Sequence, residues 1–179
     1  MSYLSYALMH FGHWTFGILN IKYSWRSQAA KPSETLKIML PRGIRNNNPL
    51  NIRRSKDQWK GMAEVQNDRA FVQFKSLEYG WRAAFYLLTR TYYHKYRLYT
   101  IRSIVNKWAP PMENKTEAYI ANVSKLTGID PDEPIGIPSE SPGRWMKLGR
   151  AMAIQENGTD SIDDFALLTG WDLCREALK

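Results

Sequence analysis

From Ser76 to the C-terminus, apolar residues recur at spacings of three and four, and most runs close on proline or glycine. That pattern suits a set of short amphipathic helices and little else. Ser76 is a good N-cap residue, and Leu77, Trp81, Ala84, Phe85, Leu88 and Tyr92 then share one helical face to about Lys95. Thr100 caps a second helix with Ile101, Ile104, Val105 and Trp108 inward, which Pro110-Pro111 stops. Asn114 and Glu117 stand at capping-box spacing before a third helix, with Tyr119, Ile120, Val123 and Leu126 inward and Gly128 at its end. Pro142 suits the first turn of a fourth helix carrying Trp145, Leu148 and Met152, closed by Asn157-Gly158. A last helix carries Ile162, Phe165, Leu168 and Leu173, with a break at Gly170.

Upstream of Ser76 the chain reads differently. In Arg42–Arg54, RGIRNNNPLNIRR, three successive asparagines precede a proline. Asparagine side chains bond to nearby backbone and favour turns, and the residue before proline is pushed to extended geometry. Leu50 and Ile52 then alternate with polar residues, Trp59-Lys60-Gly61 makes a turn, and Phe71 and Phe74 bracket another short extended piece. Residues 42 to 74 are thus expected to form a small lobe of loops with two or three short strands. The expected fold is mainly α (α+β): one helical domain over 41–179 with this small lobe. A weakly apolar, poorly ordered extension is expected over 1–40, upstream of a plausible alternative start at Met39.

The single cysteine, Cys174, excludes an internal disulfide and a cysteine metal site, so packing has to stabilise the fold. The histidines His10, His13 and His94 are too few and scattered for a metal cluster; no metal and no cofactor are expected. A net charge of +8, of which +3 lies before Met39, favours a polyanionic partner. Residues 1–21 are too polar for a membrane span, though weak membrane contact is compatible with them. Nucleic acid is a poor candidate partner, because no helix-turn-helix or RNA-binding motif accompanies the charge.

The Arg42–Arg54 string is followed in order by Trp59-Lys60-Gly61, Phe71-x-x-Phe74, Glu78-Tyr79-Gly80, Arg82-Ala83, Trp108-Ala109-Pro110-Pro111, Glu113-Asn114, Thr116 and Tyr119-Ile120. Together these resemble a family of phage and prophage virion-associated proteins, whose pattern opens R-G-I-R-N-N-N-P-G-N-I-R and continues with W-A-P-P-x-E-N-x-T and E-N-G. The likeness runs from about Arg42 to Leu173. Leu50 departs from it, standing where the family has glycine, and the extension before Met39 has no counterpart. Members are described as phage structural proteins and sometimes as lysozyme-like. The asparagine-rich loop and Phe74-x-Ser76 are also similar to segments of glucosaminidase-type lysozyme folds, in which a helix ending in an acidic residue precedes the loop. Here the corresponding Ala153-Ile154-Gln155-Glu156-Asn157-Gly158 comes late, so the resemblance implies a circularly permuted lysozyme-like domain.

Glycan cleavage of that kind needs a carboxylic acid able to protonate the glycosidic oxygen. Glu156 is the first candidate. On a helical wheel it extends the stripe of Trp145 and Met152, and the last turn of a helix disfavours an anion. The bland alternative is a surface glutamate at a frayed helix end. Glu113, in the loop after Pro110-Pro111, and Glu78, in a first helical turn, are further candidates; favourable charge at a helix N-terminus explains both equally well. Asp68 would be a second carboxylate across a cleft, and Glu117 a capping residue. Arg42, Arg45, Arg53, Arg54, Asn46, Asn47, Asn48, Asn51 and Asn114 are candidates to hold an anionic or amide-bearing sugar, although Asn46 to Asn48 could equally satisfy the loop's own backbone. Trp59 and Trp108 offer stacking faces; Trp81 and Trp145 could do the same but sit at core spacing. The stretch Tyr92–Tyr99 could stack bases, touch a membrane, or simply be the wet end of a helix.

The function expected is cleavage of peptidoglycan glycan strands, of lysozyme or lytic transglycosylase type, with peptidoglycan and other virion proteins as partners. Such a protein would be cytoplasmic before lysis or virion-associated, and would act in the cell envelope. The alternative is a non-catalytic virion or wall-binding protein of the same fold.

Overall fold

The computed structural model describes residues 40–111 and 115–176. The expectations placed on the N-terminal extension, His10, His13, Glu113 and Asn114 therefore lie outside the described residues. The described part is mainly helical: α1 (Arg42–Arg45), α2 (Leu77–Tyr86), a π-helix (Leu87–Lys95), α3 (Ile101–Trp108), α4 (Thr116–Thr127), α5 (Pro142–Asn157) and α6 (Asp164–Glu176). No helix among the described residues is long and apolar enough to cross a membrane.

The expected stripes build the core. Trp81, Phe85 and Leu88 of α2 and the π-helix, Ile101, Ile104 and Val105 of α3, and Trp145, Leu148 and Met152 of α5 are all fully buried in one cluster. Trp81 stacks on Phe85 at 5.5 Å, and Trp171 of α6 meets Phe85 edge-on at 5.0 Å. Thr100 caps α3 through a reciprocal pair with Ser103, Pro142 sits in the first turn of α5, and Gly128 and Gly158 close α4 and α5 in the left-handed conformation.

Four expectations are corrected. The helix from Ser76 is not α-helical throughout: Thr89 donates its hydroxyl to Phe85 O at 2.7 Å, a competitor for the backbone ladder, and the chain widens to a π-helix from Leu87. The N-cap of α4 is Lys115 rather than Asn114, and Glu117 in its first turn pairs with Arg102 at 3.0 Å. Leu126 is half exposed, Thr127 being the buried residue of that turn. Finally, α6 runs unbroken through Gly170 and buries Ala166, Leu167, Gly170, Trp171 and Cys174, leaving Phe165 and Leu168 in solvent.

Gly170 is where the last helix meets α2. A β-carbon there would collide with Trp81 Cβ and lie 2.9 Å from Glu78 O. The close approach, not a helix break, accounts for the glycine. In the small lobe the expected strands reduce to isolated antiparallel bridges, Arg53 with Phe71 and Met62 with Phe74. Ile52, Val72 and Phe74 form a satellite core against Ala83 of α2.

Gly170→Ala should destabilise the protein by roughly 1–3 kcal/mol, because overpacking outweighs a helix-propensity gain of at most about 1 kcal/mol. Gly143→Ala, in open space in the first turn of α5, should be neutral to stabilising. Urea unfolding of both variants checks the contrast; a stabilised Gly170→Ala would show that the α2–α6 contact is loose.

Candidate functional site

The asparagine-rich loop is built by its own side chains. Asn48 is fully buried: its Nδ2 donates to Ile52 O at 3.0 Å and Val72 O at 2.8 Å, and its Oδ1 accepts from Ile52 N at 2.8 Å. Asn47 Nδ2 donates to Phe74 O at 3.0 Å. Asn46 donates to Asp68 at 2.7 Å and accepts from Gln73 at 3.1 Å. Asn47 and Asn48 thus satisfy the loop's own backbone, while Asn46 ties the loop to the side chains of Asp68 and Gln73. Leu50, in the glycine position, is completely buried, and the left-handed φ values fall on Asn47 (51°) and Asn51 (50°), a residue type that tolerates them.

That turn aims Asn51 at the end of α5. Asn51 Nδ2 donates to Glu156 Oε2 at 3.2 Å, while Trp108 Nε1 and Tyr119 Oη donate to Oε1 at 2.9 and 3.0 Å. Four elements thus converge on one carboxyl group: the asparagine loop, α3, α4 and α5. Burial, and then the negative charge of Glu156, push the Tyr119 hydroxyl far above its ordinary value, so it stays protonated and donates. The group lies in a cavity of about 480 Å³ that also holds Asp57, Trp59, Phe71 and Tyr92. Burial raises Tyr92 to about 12, so this second phenol is neutral as well.

The chain is 45% identical over 122 residues to Protein P5 of Pseudoalteromonas phage PM2, a match covering 66% of this chain and 72% of that protein. The chain belongs to the family of this phage protein. No protein-family model matches it. The expected phage kinship therefore holds.

In this member of the phage family, the expected site residues divide by position. Glu156, Asn51, Trp108, Trp59 and Arg53 line the cavity, whereas Glu78, Arg42, Arg45, Asn46, Asn47 and Asn48 do not. Trp81 and Trp145 have no exposed surface to offer a sugar. Arg42 stacks over Phe71 at 4.5 Å and grips Asp68. Two cavity residues escaped sequence reasoning. Asp57, whose carboxylate accepts from the Ser55 hydroxyl at 2.8 Å, sits in a featureless polar stretch. Tyr119 looked like core alone; it is buried, but its hydroxyl reaches the carboxyl group.

Asp68 serves as a fastener of the loop. Its carboxylate accepts from Arg42 at 2.6 and 2.7 Å, from Asn46, and from the backbone N–H groups of Ala70 and Phe71 at 2.9 and 3.0 Å. The Arg42 guanidinium above all, helped by the other donors and opposed by burial, holds this carboxyl well below the usual carboxylate range. A depressed folded value contributes stability that is complete above the unfolded pKa of about 3.9 and is lost as pH falls toward the folded value. Asp68→Asn should therefore lower the urea midpoint at neutral pH, with the gap to wild type narrowing as pH drops below about 4. A gap that stays constant with pH would remove the ionised form from the explanation.

Proposed function

We propose that this phage-family protein cleaves the β-1,4 bond of peptidoglycan glycan strands, with Glu156 as the general acid, and that it is virion-associated. The observation that carries the reading is the convergence of Trp108, Tyr119 and Asn51 on Glu156 in an open cavity with an aromatic wall. An acid has to be held to within a fraction of an ångström of the leaving oxygen, and three donors from three elements provide that restraint. Trp108 and Tyr119 occupy Oε1 and leave Oε2, with only the longer Asn51 contact, as the oxygen that carries the proton.

Asn51 can serve both protonation states. Its Oδ1 is buried without a partner, as is Asn157 Oδ1 on the same side of Gly43. Turning the amide over lets Oδ1 accept from a protonated Oε2, while the NH2 faces the side where Asn157 Oδ1 lacks a donor. Proton transfer to the glycosidic oxygen returns Glu156 to the anion, and Nδ2 can donate again. Water, oriented by a second carboxylate such as Asp57, or the sugar's own hydroxyl then takes the anomeric carbon. The late position of this helix relative to the loop supports the permuted lysozyme-like arrangement.

A second reading has its own support. Three donors on one carboxyl group also suit a fixed anion that ties α5 to the loop, as in a wall-binding virion protein without chemistry. Incubation of the full chain with purified peptidoglycan, with soluble fragments identified by mass spectrometry, separates the two. Release should fall at least about 100-fold in Glu156→Gln and about tenfold or less in Tyr119→Phe, which removes one donor. Anhydro-sugar ends would name a transglycosylase. No release by a folded wild type that still sediments with the wall would favour the binding protein.

A further inference from the structure

The cavity around Glu156 does not end at its own walls. Asp57, Trp59, Leu87 and Tyr92 line it and also line a neighbouring cavity of about 730 Å³, so the two form one cleft with two arms. The arms differ in charge. The second is lined by Lys60, Arg82, Lys95 and Lys107, with Asp57, at the junction, as its one carboxylate. Lys95 and Lys107 converge on the Tyr96 ring, their Nζ atoms 5.7 and 5.4 Å from its centroid.

Arg82 is the unusual member. It is only 9% exposed, its Nε is buried without an acceptor, and no hydrogen bond or ion pair ties its guanidinium to any described residue. A guanidinium buried without a counter-ion is costly, and the three lysines that line the same cavity supply no counter-charge. Arg42, Arg102, Arg144 and Arg150, by contrast, each sit within 3.0 Å of a carboxylate, and Arg175 lies 3.6 Å from that of Asp172. Arg82 sits instead on a face that opens to the cleft. The π-helix contributes to this: its i to i+5 spacing presents Leu87, Thr91, Tyr92 and Lys95 along the same cleft.

We propose that this second arm is a carboxylate-binding subsite, in which Arg82, Lys95 and Lys107 receive a carboxylate of a glycan polymer whose neighbouring sugar lies at Glu156. The inference rests on the glycan reading of the Glu156 cavity and adds to it: the ligand is an anionic strand, and a neutral one of the same length occupies only one arm. Arginine meets a carboxylate through paired N–H groups, and two lysines at the rim add charge that salt screens. The sugar face would stack against Trp59, which lines both arms.

The test is equilibrium binding by the full chain carrying Glu156→Gln, with fluorescently labelled soluble peptidoglycan strands as the probe. The controls are the same strands with their carboxylates amidated by methylamine, and a neutral chitin hexasaccharide. Lys95→Gln with Lys107→Gln, both exposed and so safe for folding, should weaken binding of native strands about tenfold and leave the amidated strands and the hexasaccharide unchanged. Arg82→Lys, checked for folding by circular dichroism, should weaken the native strands as well. Equal binding of native and amidated strands would overturn the subsite, as would an equal loss on all three probes, which would mean that the lysines shape the cleft rather than read charge. Wild-type cleavage is scored separately: loss of charge discrimination with cleavage intact sinks the subsite alone, and discrimination without cleavage sinks the catalytic reading alone.

Discussion

The C-terminal end of α5 is fastened to a loop more than a hundred residues upstream, and the cleft depends on that fastening. Asn157 Nδ2 donates to Pro49 O and to Ala153 O, each at 2.8 Å, closing the helix and gripping the loop with one amide group. On the other side, Gly43 brings α1 so close that a β-carbon there would collide with Asn157 Oδ1 and lie 2.9 Å from Asn51 Oδ1. Asn51 and Glu156 face each other because these contacts set their separation. A residue larger than glycine at position 43 would lift the loop away from the carboxyl group it serves.

Around this joint, polar side chains do what strands do elsewhere. The small lobe has only isolated bridges, and beside backbone pairs such as Val72 N to Ile52 O and Arg54 N to Ala70 O, the side chains of Asn47, Asn48, Gln66, Gln73 and Asp68 satisfy further backbone groups. Buried amides of this kind are stabilising only when each donor and acceptor is matched. The same demand explains the run of asparagines. A side chain that both donates and accepts, on a short stem, fits beside a tight turn where glutamine would overreach. The lobe is consequently a wall held by side-chain hydrogen bonds, and the cleft it lines has one arm centred on a carboxyl group and another rich in positive charge.

Several features were legible in the residue order. The helices that carry the core follow from spacing, and their ends from Thr100, Gly128, Pro142 and Gly158, because capping and periodicity are local physics. Glu156 was visible as a charged residue continuing an apolar stripe. The face of α6 is not legible in the residue order because Phe165 and Leu168 are apolar, while the contact with Trp81 needs the small surface of Gly170; side-chain size at a crossing depends on the partner helix. The π-helix was equally hidden, since the spacing from Leu77 to Tyr92 fits either ladder until Thr89 bonds back to Phe85.

The sequence by itself determined a mainly helical chain, a turn-rich asparagine loop and a helix ending at Glu156-Asn157-Gly158, all consequences of interactions within a few residues. Tertiary structure alone decided that Trp108, Tyr119 and Asn51 should meet on Glu156, that Asp68 should be spent on Arg42, and that Arg82 should be buried at the wall of a lysine-lined cavity. Those pairings join residues 26 to 105 positions apart for the carboxyl groups. No local propensity encodes such a meeting; it exists only once helices of particular size and crossing have closed around a shared core.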